Sequence, residues 1–187
     1  MNASLRMAGK IAKPPPFPID VFERVLRVAM FDGRLLTIIA GTFAIMAAVG
    51  HNAPPTIAGV IAAGWGLCEI HGANQLRNGD PRGLNLMIVS QVGLMLTVFG
   101  YAGWMMIHLD PMEVINTMPD FYREDFESKL AASGITAEQV PAYMKTLTKI
   151  AYTMVAGLTF VFQGMMARFY LKARPAVNTV IFGRNAP

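Results

Sequence analysis

Residues Gly59–Tyr101 read GVIAAGWGLCEIHGANQLRNGDPRGLNLMIVSQVGLMLTVFGY. One apolar run descends, breaks at Asn78-Gly79-Asp80-Pro81, and a second apolar run climbs back. Clustered Gly, Asn, Asp and Pro punctuate a chain because they favour turns and resist helix propagation. The stretch therefore predicts a hairpin of two apolar helices, each long enough for the roughly 20 residues that cross a bilayer.

Outward from the hairpin the same solvent logic holds. Of the 187 residues, 53% are hydrophobic and only 15% are charged. Soluble domains carry about 25% charge, so a bilayer is the simpler solvent for this composition. The expected fold class is all-α, a multi-pass membrane protein with four transmembrane helices and two surface amphipathic helices. The spans fall at about 34–50, 56–76, 84–109 and 146–172, within a domain covering 19–175. A lone Cys68 excludes an internal disulfide.

Residues 1–18 form a Pro-rich tail, MNASLRMAGKIAKPPPFP, with no long apolar run of the signal-peptide kind. Asp20 and Glu23 then make a D-x-x-E cap before Val21, Val25 and Val28. This reads as a short basic helix lying in the membrane interface, ended by the turn pair Asp32-Gly33. Residues 110–144 are rich in Asp and Glu, and Tyr122, Phe126 and Leu130 recur every fourth position. That period predicts an amphipathic helix near Pro119–Ser133 within an acidic outer cap. Thr136-x-x-Gln139 resembles a capping box for the last span. Pro175 is expected to stop that span, leaving 176–187 as a C-terminal tail.

Between the central helices, the pattern Gly72-x-x-x-Leu76-Arg77-x-Gly79-Asp80-x-Arg82-Gly83 resembles the central hairpin of small uncharacterised four-helix bacterial inner-membrane proteins. The resemblance implies an architecture and no activity.

Charge sets the expected orientation. Arg24, Arg27 and Arg34, then Arg77 and Arg82, then Arg168, Lys172 and Arg174 flank ends that share one side of a four-span bundle. The positive-inside rule places that side, with both termini, in the cytoplasm of a bacterial inner membrane. The formal net charge of +4 is thereby explained without nucleic acid.

Candidate polar chemistry is sparse. Glu69 lies about 20 Å along its helix from Thr56 and shares a face with Ala62, Gly66 and Ala73. Counting along the other spans brings Ser90, Gln91 and Arg168 to a similar depth. Arg168 shares a face with Thr153, Gly157 and Gly164, a small-residue stripe suited to a helix contact. Glu69, Ser90, Gln91 and Arg168 are expected to form one buried polar layer. Its plainest role is a clamp on helix register, and its sharper one is a proton or substrate site. His51, His71 and His108 are candidate ligands for a haem or metal, though no C-x-x-C-H accompanies them.

No cofactor and no catalytic or metal residue is expected, and the chain reads as a non-enzyme. The expected role is a structural or accessory subunit, self-assembling or docked on a larger membrane complex, with the bilayer as its first partner. The alternatives are a small transporter or proton-coupled carrier using Glu69 and Arg168, and a haem- or pigment-binding subunit.

Overall fold

The structure is a computed structural model that describes residues 16–108, 119–134, 136 and 138–184. Among the described residues it is all-helical. Helix α1 spans Pro18–Val49, α2 Ala53–Arg77, α3 Arg82–His108, α4 Asp120–Ala132 and α5 Val140–Arg184. All but α4 are long and apolar enough to cross a membrane. The first nine residues of the expected acidic cap after Leu109 lie outside the described residues, but α4 occupies the predicted helical stretch.

The hairpin forms as read. Gly79 adopts φ +88°, a left-handed conformation open to glycine. The Asp80 carboxylate accepts from the Arg82 amide at 2.8 Å, satisfying an otherwise orphaned donor at the start of α3. Above the turn the two helices touch through Gly72 and Gly83: a Cβ on Gly72 would lie 2.7 Å from the Gly83 carbonyl oxygen.

Two expected breaks do not occur. The surface helix and the first span are one helix, α1, running straight through Asp32-Gly33. Its buried residues Phe22, Val25, Ala29, Gly33, Ala40 and Ala44 trace one continuous stripe. Gly33 sits at the crossing with α2, where an added Cβ would meet the Gly66 carbonyl oxygen at 2.8 Å. The glycine that reads locally as a turn is thus a contact point, and packing overrides propensity. Likewise Pro175 lies inside α5, which continues to Arg184. Proline in a helix interior costs about 3 kcal/mol. Tyr170, Ala173, Val177 and Ile181, spaced at helical intervals on both sides of it, are buried in the main core and hold the helix together.

That core collects Phe22 and Val25 of α1, Leu76 of α2, Leu84 of α3 and Val177 of α5. The start of α1, the α2–α3 turn and the end of α5 therefore meet at one end of the bundle, and these are the basic regions. Toward the opposite end packing thins to a smaller cluster around Ala40, Ala62 and Leu94. Between Val140 and Phe162 no described residue of α5 is buried. On α4, Leu130 is buried and Phe126 half-buried, but Tyr122 is exposed, so only part of its predicted face is covered.

Candidate functional site: a four-helix polar cluster

Where the main core ends, four helices each contribute one polar side chain. Glu69 of α2 and Tyr170 of α5 are fully buried, and Gln91 of α3 is 1% exposed. The Gln91 amide nitrogen donates to Glu69 Oε1 at 2.8 Å and reaches Asp32 Oδ2 of α1 at 3.4 Å. The Tyr170 hydroxyl donates to the same Glu69 oxygen. Sequence separations of 22, 59 and 101 residues are closed here. A polar atom away from water costs free energy unless partnered, so such a cluster favours one helix arrangement over slipped ones.

The local reasons are visible. Gly66, one turn before Glu69, lets α1 approach closely enough to bring Asp32 to the cluster. Gln91 and Ser90 follow the buried Met87 on α3. Tyr170 leads the stripe Ala173, Val177 and Ile181 on α5.

Two oxygens in the cluster, Glu69 Oε2 and Gln91 Oε1, are buried and have no hydrogen-bond partner. Gln163, two turns before Tyr170 on α5, is also buried with its Oε1 unpartnered. The described cavities lie elsewhere. One of about 420 Å³ opens between α2 and α3 beside Tyr101 and Trp104. Two others lie at the basic end, beside Arg77.

Of the expected layer, Glu69, Ser90 and Gln91 are buried together. Ser90, however, turns its hydroxyl to the Met87 carbonyl of its own helix, 2.7 Å away. Arg168 is not part of the cluster. It is exposed and forms no ion pair with Glu69. Depth counting reached the correct level of α5 but the wrong face, because a two-residue step turns a helix by about 200°. The inward place belongs to Tyr170. Gly157 and Gly164, on the same face as Arg168, have nothing within 4 Å of an added Cβ, so the small-residue stripe of α5 faces outward.

Asp32 and Tyr170 are the members that residue counting missed. Asp32 was hidden by its turn-like neighbour Gly33, although it falls three residues after Ala29 on a helical period. Tyr170 resembles an interfacial aromatic until the stripe through Pro175 is recognised.

The histidines are dispersed. His51 occupies the α1–α2 turn with φ +53°. His71 is exposed and hydrogen-bonds Gln75 of its own helix at 3.0 Å. His108 stacks on Trp104 at 3.8 Å between ring centroids. Among the described residues no group of three or more His, Cys, Asp or Glu side chains could hold a metal ion. No protein family matches the chain, and no curated protein or solved structure is detectably similar to it.

Proposed function

We propose that this chain is a four-span integral membrane protein, a non-catalytic structural or accessory subunit that works by assembling with another transmembrane helix. The observation that carries this reading is the open face of α5. Thr153, Gly157, Gly164 and Arg168 share that face, and all four are exposed. In lipid, small residues allow close helix approach, and an arginine facing hydrocarbon is costly, about 2.5–3.5 kcal/mol at the centre of a span and less at the shallower level of Arg168. A second helix seated there would use both. It comes from another copy of this chain or from a larger membrane complex. The basic end of the bundle, with both termini, faces the cytoplasm of a bacterial inner membrane by the positive-inside rule.

The test is the mass of the particle extracted in mild detergent. An oligomer or complex is expected, and Gly157→Leu or Gly164→Leu should release the monomer. A monomeric wild-type particle would refute the assembly reading.

A second reading, a small proton or cation carrier, is favoured by the unpartnered Glu69 Oε2 and Gln91 Oε1. Intramembrane ionisable groups often mark such paths. Proteoliposomes carrying a trapped pH dye should then acidify under an imposed gradient and lose that response in Glu69→Leu. Wild-type liposomes that behave like empty ones would end this reading.

A further inference from the structure

We infer that the groove along the N-terminal half of α1 binds the phosphate of an anionic phospholipid. This rests on the membrane reading above but not on assembly. A cavity of about 700 Å³ lies where α1 passes the end of α2. Arg27, Arg34 and Arg77 line it against one carboxylate, Glu23. The ion pairs among the described residues, Arg123–Asp120 and Lys129–Asp125, are both on α4, so neither engages these three arginines.

The walls match the rest of a lipid. Ile19, Phe22, Leu26, Met30 and Phe31 complete the groove, and Phe31 is 70% exposed. An acyl chain would run past Phe31 toward the apolar part of α1, where Leu35, Ile38 and Ile39 are also exposed. Arg27 and Arg34 are two turns apart, about 10 Å along the axis. A headgroup layer is about 5–7 Å deep on each side of the hydrocarbon. Arg34 lies on the hydrocarbon side and reaches the layer by extending its stem, while Arg27 and Arg77 sit at the basic end. Guanidinium groups suit phosphate because they donate in a planar fork. Basic pockets beside transmembrane helices on the cytoplasmic side recognise anionic headgroups in the same manner.

A smaller cavity shares Phe22 and Arg77 with the groove and adds Asn78 and Gly79 of the α2–α3 turn. Arg77 thus stands between two recesses. The turn side offers the Asn78 side-chain amide to the polar part of a headgroup, the backbone amides of Asn78 and Gly79 being bonded to carbonyls of α2.

The experiment is native mass spectrometry of the purified full chain released from micelles containing phosphatidylglycerol and phosphatidylcholine. Wild type should retain phosphatidylglycerol preferentially. Arg27→Gln, Arg34→Gln and Arg77→Gln should each lower that preference about fivefold, and the corresponding Lys variants should retain most of it. Arg24→Gln and Lys172→Gln, exposed basic residues that do not line the groove, should leave it unchanged. Equal retention of both lipids by wild type would overturn the proposal. So would an equal loss in the Arg24 and Lys172 variants, which would indicate diffuse charge. Displacement of the lipid by inorganic phosphate would assign the site to a free anion instead. Release of the protein from membranes by alkaline carbonate would refute the membrane reading itself, whereas stable insertion without lipid preference would refute only this site.

Discussion

Glu69 accepts two hydrogen bonds through one oxygen, from Gln91 and from Tyr170. Each donor comes from a different helix, so removing either loosens a link between elements. Tyr170→Phe and Gln91→Met are each expected to destabilise the protein by about 0.5–1.5 kcal/mol. In a Glu69→Leu background each effect should shrink by about 0.6 kcal/mol, the average coupling of hydrogen bonds between helices in lipid. Unfolding in detergent would measure this double-mutant cycle, and strictly additive losses would remove the cluster from the account. Arg168→Met should change monomer stability by less than about 0.5 kcal/mol, since the side chain is exposed. At this scale the sequence was half legible. Burial by depth identified Glu69 and Gln91, because one residue of rise is a fixed length. Rotation about the helix axis was not readable for α5, because a small-residue stripe suits a helix contact on either face.

Helix α1 depends on one crossing. Gly33 and Gly66 face each other so closely that a Cβ on Gly66 would lie 2.7 Å from the Gly33 carbonyl oxygen. Gly66→Ala and Gly33→Ala should each destabilise the bundle by about 1–3 kcal/mol through overpacking. Gly41→Ala and Gly64→Ala, where the space is open, should be neutral or stabilise by up to about 1 kcal/mol by helix propensity. Detergent unfolding of the four variants separates the two classes, and similar losses in all of them would argue against a tight crossing. A second expectation concerns Pro175. Amides of Val177 and Ile181 should exchange slowly with solvent because α5 continues through the core, while rapid exchange there would restore a free tail. Turn and breaker rules located the α2–α3 hairpin because nothing opposes a solvated Asn-Gly-Asp-Pro. The same rules misplaced ends at Gly33 and Pro175, where buried stripes on both sides of the breaker outweigh its local preference.

The whole molecule is a bundle packed at its basic end and open along the outer part of α5. Three basic regions meet at one end, as four antiparallel helices require. Reporter fusions after Pro187 and within α4 should therefore report opposite sides of the membrane, and a shared side would contradict four spans. Helix number and antiparallel order were legible from hydropathy and turns, because long apolar runs parted by breaker clusters fold back on one another as helices. The uncovered face of α5 was not, because a small-residue stripe looks the same whether its partner is inside the chain or outside it. Single cysteines placed along α5 from Thr153 to Arg168, in a Cys68→Ser background, test the assembly claim most directly. A photocrosslinker attached to each cysteine and activated in native membranes should link positions 153, 157, 161, 164 and 168, to a second copy or to another subunit, and spare positions 155, 162 and 166 on the opposite face. Uniform or absent cross-linking across the whole series would contradict it.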